Sequence, residues 1–411
     1  MKRILAIVLS LVMIISIFAG CGALPSPSPS PTTGGPTTSG PKEKVSLKIW
    51  GSQEDQAMLA TMVESFKVAN PDKDYDITFG VVSEADTKTK VLEDPAAAAD
   101  VFAFASDQIK DLVSAGALYE ITRNKDKITS ENMEGSVDAA TVNGKLYAYP
   151  ETADNGYFMY YDKSVFSEED VKSLDKMLDV ANSKGKKVFM DVSNGWYIAS
   201  FFLGAGCTLT ISEDGKQKCD FNNERGVLAG EAIKEFTAHP AFVTGDDAVL
   251  KGGIGSTIAA GVSGTWNAED IKSILGDNYA ATKLPTFTLG DEQVQMGSFA
   301  GYKLVGVNSQ TKAPVEAMNL AEWLTNEQNQ ILRFETRAMG PSNIKAANSS
   351  AVQENAALAA LAEQNQFASS QKDVLGSFWA PAEAFGTAME AKDYSKSIKE
   401  QLDAMVAQIE G

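Results

Sequence analysis

The chain has one histidine in 411 residues, His239, directly before Pro240. A histidine-based triad or a histidine-rich metal centre has too little to draw on. Cysteine is almost as scarce. Beyond Cys21 there are only Cys207 and Cys219, with no C-x-x-C, so thiol–disulfide redox chemistry has no motif to run on. Phosphate cradles are missing as well. There is no P-loop, "GGIGSTIAAG" lacks the third glycine of a dinucleotide fingerprint, and "GVSG" (Gly261 to Gly264) lacks G-x-S-x-G spacing. Asp72, Asp74 and Asp76 alternate like a calcium loop, without the glycine and glutamate that such a loop needs at its sixth and twelfth positions. Positive charge is in short supply: 36 Lys and Arg stand against 54 Asp and Glu, a formal charge of −18. Such a chain repels nucleic acid and anionic lipid surfaces. The many acids leave a glycoside-hydrolysing carboxylate pair open, but no motif calls for a metal, a cofactor or a catalytic residue.

What is present begins at the N-terminus. Lys2 and Arg3 precede an apolar run from Ile4 to Phe18, and Ala19-Gly20 lead into Cys21. The run suits a signal h-region and falls short of the roughly 20 apolar residues of a membrane span. "FAGC" resembles a bacterial lipobox, which implies a signal over residues 1–20 and lipid chains on Cys21. Two or more chains anchor a protein stably, at about 0.8 kcal/mol per buried CH₂. The Pro/Ser/Thr/Gly tract that follows, taken as a linker over 21–43, builds no core and favours extended polyproline conformation. A cleaved secretory signal with a disordered stub is the alternative. In either case the mature chain is exported.

From residue 45 the pattern is α/β. "VSLKIWG" alternates like a strand, "DQAMLATMVESFKVAN" carries Met58, Leu59, Met62, Val63 and Phe66 on one helix face, and "ADVFAFAS" is a near-continuous apolar run like a strand buried on both faces. "NGKLYAYPE" reads as a hairpin, "GWYIASFFLGAG" as an apolar helix, and "VEAMNLAEWLTNEQNQILRFE" as one amphipathic helix. Asp214-Gly215 marks a hairpin turn between Cys207 and Cys219. Two cysteines on facing strands of an exported hairpin could form a disulfide, or remain two thiols.

The order of these pieces resembles the extracytoplasmic solute-binding proteins of carbohydrate ABC importers, the group that includes maltose-binding protein. The resemblance runs through "LKIWG", "ADVFAFASDQIKDLVSAGALYEIT", "NGKLYAYPETADNGYFMYYDKSVF", "AAGVSGTW", "LPTF", "RAMGPSNI" and "SFWAPAEAF". It implies an α/β fold of two periplasmic-binding-protein-like lobes, joined by a crossover hinge with ligand in the cleft between them. It places one lobe at 45–153 plus 300–343 and the other at 156–297 plus 346–411. It also implies permease subunits as partners, no cofactor, and a monomer outside the cell, tethered through Cys21.

A sugar ring has apolar C–H faces and a polar rim, so its binder needs flat aromatic platforms and fixed hydrogen-bonding groups. Of the five tryptophans, Trp50 and Trp323 read as core. Trp266, among Gly, Ser and Asn in "GVSGTWNAED", and Trp379 in "GSFWAPAE" match cleft aromatics of the family. Trp196, with Tyr197, matches an aromatic at a helix start, where helix packing is the other reading. The polar loop Gln53–Glu54 follows the first strand. Phe104 and Asp107 stand at the exit of the buried strand, where open sheets bind ligands; Asp107 could equally cap the next helix. Maltose-binding protein has a tryptophan at the position matching Phe104, so the resemblance implies a smaller platform here. Asp154 or Asn155 falls near a family carboxylate at the hinge, and Arg337 and Met339 near the second crossover are weaker candidates. Maltose, maltooligosaccharides or other α-glucans are the expected ligands; xylo-, galacto- and other oligosaccharides stay open. A lipoprotein for polysaccharide adhesion or sensing, or a glycoside-acting enzyme, are the competing readings.

Overall fold

The computed structural model describes residues 42–411; the signal, Cys21 and the tract up to residue 41 lie outside the described residues. Along the chain, the strands of the two main sheets are β1 (Glu43–Gly51), β2 (Lys73–Val81), β3 (Val101–Ala105), β4 (Ala148–Gly156), β5 (Phe158–Asp162), β6 (Lys187–Phe189), β7 (Phe242–Val243), β8 (Ile258–Ser263), β9 (Tyr279–Thr282), β10 (Ser298–Val307) and β11 (Ala368–Ser370). The first sheet runs β11-β10-β3-β1-β2, with β4 also paired to β10; the second runs β7-β6-β8-β5-β9. In each sheet parallel pairs (β1 with β2 and β3; β6 with β7 and β8) meet an antiparallel strand, β10 in the first and β5 in the second.

Each sheet has its own core. Helix Gln56–Ala69 buries Met58, Leu59, Met62, Val63 and Phe66 against the first sheet, and this core also takes Phe102, Phe104, Tyr149, Leu304, Val307 and Leu320. Trp50 and Trp323 pack at its margin. The second lobe's main core gathers Tyr157, Phe201, Phe221, Phe236, Phe287, Phe299 and Phe385. At roughly 1.5–3 kcal/mol per fully buried large apolar side chain, each set is ample to hold a separate lobe.

The chain passes between the lobes along β4, whose Tyr149 lies in the first core while Tyr157, just beyond it, lies in the second. It crosses back along β10, between Phe299 in the second core and Leu304 in the first. A third passage follows helix Glu327–Arg337, where the Ala153 N–H donates to the Gly340 carbonyl at 2.9 Å.

Two elements differ from the sequence reading. The expected single helix after Pro314 is two, Pro314–Leu324 and Glu327–Arg337. Asn326 caps the second, its side chain accepting from Asn329 N–H at 2.9 Å, while the Thr325 hydroxyl bonds back to the Ala321 carbonyl. A strong N-cap inside an apolar period starts a new helix. The other difference concerns the cysteines. The hairpin forms, but its register sets Leu209, not Cys207, opposite Cys219. Both are free, buried thiols, so the bridge expected as one alternative is absent. Burial pushes each thiol up to about 12.

Candidate functional site

Three of the tryptophans named from sequence gather on the second lobe beside the crossovers. Trp196 opens helix Gly195–Gly204, whose Asn194 cap accepts from the Trp196 N–H at 3.0 Å. Tyr157, at the end of the first crossover, donates its hydroxyl to the Trp196 carbonyl at 2.8 Å and meets the indole edge-on at 4.5 Å. Trp266 lies in the turn after β8, its ring centre 5.9 Å from that of Trp196 with the planes 37° apart. The indole folds back over Gly264, where a Cβ would stand 2.0 Å from its ring carbons; only glycine leaves the space. Asp247 then fixes the ring, accepting from the indole N–H at 2.9 Å and from the Ser263 hydroxyl at 3.0 Å. Trp379 opens helix Trp379–Glu390 against Phe378 and Phe299, with its backbone carbonyl beside Gly195.

Polar groups of the first lobe face this wall. The half-buried Asp107 carboxylate accepts from the Gln371 side chain at 2.8 Å, and the Gln371 oxygen accepts the Trp196 indole N–H at 2.9 Å. Asn155 donates to that oxygen at 3.4 Å. Burial raises Asp107 to about 6, against the pull of its own backbone bond, Lys88 and Gln371. Lys303 on β10 places its ammonium 3.7 Å from Glu84 and 5.6 Å over the Trp266 ring. Burial alone would lower this lysine, but Glu84, Asp154, Asp55 and Glu151 together hold it above its usual range.

Behind these groups runs a buried ionic chain. Arg333, 1% exposed, reaches Asp55 and Glu151 at 2.6 Å each, and Arg337 adds a contact to Asp55 at 3.2 Å. Burial pushes Asp55 up, but Arg333, Lys303 and Arg337 outweigh it and hold the carboxyl below its usual range. For Glu151 burial wins over Arg333, and the group rises to about 7.

The other residues named from sequence fall elsewhere. Gln53 and Glu54 are exposed in the turn after β1. Phe104 is 0% exposed and lies inside the first core against Phe102, so it offers no platform: the strand is buried on both faces, and neither face opens to a ligand at this position. Tyr197 is buried behind Trp196, 5.1 Å from it and from Tyr157, and supports the wall rather than facing outward. Asp154, 2% exposed, binds the crossovers together: one oxygen accepts from the Thr265 hydroxyl and the Gly340 N–H, each at 2.6 Å, while the other oxygen has no partner. Met339 is buried. Gln371, Asp247 and Lys303 were not singled out from sequence. An Asp-Asp pair opening "DDAVLKGG" and a lone Gln before Lys-Asp carry no motif, and only the fold brings them to the aromatic wall. A surface groove of about 190 Å³, lined by Leu178, Phe236, His239 and their neighbours, involves none of the tryptophans.

Two sheet-based lobes, three crossings and an aromatic–polar face beside them match a known class. Residues 61–360 match the family of bacterial extracellular solute-binding proteins, and the chain belongs to that family. Over 377 residues it is 28% identical to a galactooligosaccharide-binding protein of Bacillus subtilis (strain 168), covering 84% of this chain and 86% of the relative. A solved structure with acarbose aligns at 33% identity and a TM-score of 0.81, over 89% of this chain and 99% of the other. A maltodextrin-binding protein of L. casei BL23, solved without ligand, aligns at 26% identity and a TM-score of 0.74, over 90% and 99%.

Proposed function

We propose that this protein binds an oligosaccharide outside the cell and delivers it to a membrane ABC permease. The observation that carries the reading is the pair of indoles, Trp196 and Trp266, 5.9 Å apart beside the Asp107–Gln371 bridge. Stacked or edge-on aromatic contacts are worth about 0.5–1.5 kcal/mol beyond burial, and a fixed carboxylate accepts hydroxyl donors strongly. The tryptophans and Asp107 are the proposed contacts. Maltooligosaccharides are the first candidate ligand, favoured by the likeness to the maltodextrin-binding protein and to the structure with acarbose. Galactooligosaccharides are the second, favoured by the Bacillus subtilis relative. The proposed lobes cover 45–153 with 300–343 and 156–297 with 346–411, except that 368–373 reaches back to the first. Lipid on Cys21 would hold the protein at the membrane as a monomer.

A thermal-shift series over maltotriose, maltotetraose, galactotriose, xylotriose and glucose tests the reading, because a ligand that binds only the folded chain raises its melting temperature. A rise with maltotriose or galactotriose is expected, and chromatography of the same mixtures should recover the sugar uncut. No rise with any oligosaccharide at millimolar concentration would sink the proposal, and cleavage would move the protein to the enzymes.

A further inference from the structure

We infer that Gln371 is a positioning residue of the cleft: its amide ties the Asp107 carboxylate of the first lobe to the Trp196 indole of the second and so sets the spacing that a ligand meets. The inference rests on the reading of the cleft as a sugar site, and deepens it.

The bridge has one workable orientation. An ionised Asp carboxylate only accepts and an indole N–H only donates, so the amide NH₂ must face Asp107 and its oxygen must face Trp196. Gln371 is 4% exposed, which makes both bonds hard to replace by water. Its backbone is held from several sides. β11 pairs with Ser298–Ala300 at the start of β10, and on the first lobe Lys110 meets Asp373 at 2.8 Å and Lys372 meets Asp138 at 2.5 Å. From the second lobe, Gln217 accepts the Leu375 N–H at 2.6 Å. Space for the amide is built in on β10. At Gly301 a Cβ would stand 2.9 Å from the Gln371 oxygen and 3.1 Å from the Asn155 nitrogen.

Two consequences follow for recognition. The Trp196 N–H is spent inside the protein, so this indole offers a ligand its ring and no in-plane donor. The Asp107 oxygen that Gln371 holds is fixed relative to that ring before any ligand arrives. Pre-set geometry of this kind lowers the ordering cost of binding.

The test uses ¹⁵N-labelled protein and two readouts, the indole N–H resonances and the affinity for maltotriose and galactotriose. The Trp196 resonance is identified by its loss in Trp196→Phe. In Gln371→Ala, which removes the acceptor of the indole N–H, that resonance should move upfield in ligand-free protein. In the near-isosteric Gln371→Glu, which still accepts the indole N–H but cannot donate to Asp107 while ionised, it should not move upfield. Affinity should fall about tenfold in Gln371→Ala, the scale of one net hydrogen bond, and further in Gln371→Glu, which sets a second negative charge beside Asp107. Gly301→Ala, which crowds the amide without deleting it, should weaken binding in the same direction. An unmoved Trp196 resonance in Gln371→Ala, or unchanged affinity in a folded Gln371→Glu, overturns the inference. If the parent protein binds neither sugar, the functional reading falls and the resonance alone still decides whether the bridge exists.

Discussion

Trp266 has its N–H taken by Asp247, its ring folded over Gly264 and a lysine ammonium above it. None of these is a core contact of the kind that holds a lobe together. Trp266→Ala should therefore abolish most of the sugar-dependent rise in melting temperature, weakening affinity tenfold or more, about 1.4 kcal/mol per decade. It should change ligand-free melting little; a large drop there would make the residue structural. Asp107 gives a second test. With its carboxyl raised from 3.8 to about 6, the charged acceptor fills only above that point. Sugar affinity should rise between pH 5 and 7. Stability runs the other way: a raised acid favours the fold while protonated, a contribution fully present below 3.8 and lost as pH rises through about 6. Asp107→Asn should flatten both curves, read by calorimetry and by thermal melts; parallel curves for variant and parent would refute the assignment. Residue by residue, the candidate site was half legible. Trp196, Trp266 and Trp379 are three of only five tryptophans and match aromatics of the family, and Asp107 stands at a strand exit. Phe104 misled because a strand buried on both faces keeps its side chains in the core almost to its exit. Gln371 lies 264 positions from Asp107, beyond the reach of any spacing argument.

Helix Glu327–Arg337 does more than cover the first sheet. Its Arg333 holds two buried carboxylates, one at the start of helix Gln56–Ala69 and one on the first crossover. Arg333→Met strands Asp55 and Glu151, and loss of one partner of a buried pair costs about 3–5 kcal/mol. Urea unfolding should show that loss; a cost under 1 kcal/mol would mean that water already reaches the cluster. Elements with strong local signals were readable, such as the Asn143-Gly144 hairpin, with both residues at positive φ. The split at Asn326 was hidden because the apolar period runs through it and the cap is a single side chain. The ionic chain was invisible, since its members come from three separate stretches of sequence.

At the scale of the molecule, the α/β alternation and the order of short motifs were enough to give two lobes and a cleft. The return of residues 368–373 to the first lobe was not, because three residues of strand leave no periodic trace. The two free thiols of the second lobe have a practical outcome. Cys207 and Cys219 are shielded and stay protonated to about 12, so neither is a nucleophile at neutral pH while that lobe is intact. A maleimide added to the native protein should find them silent and should label them at the rate at which the lobe opens. Sugar, by holding the folded form, should slow that clock, so the cell exterior's oxidants meet the same closed door that the chemist's reagent does.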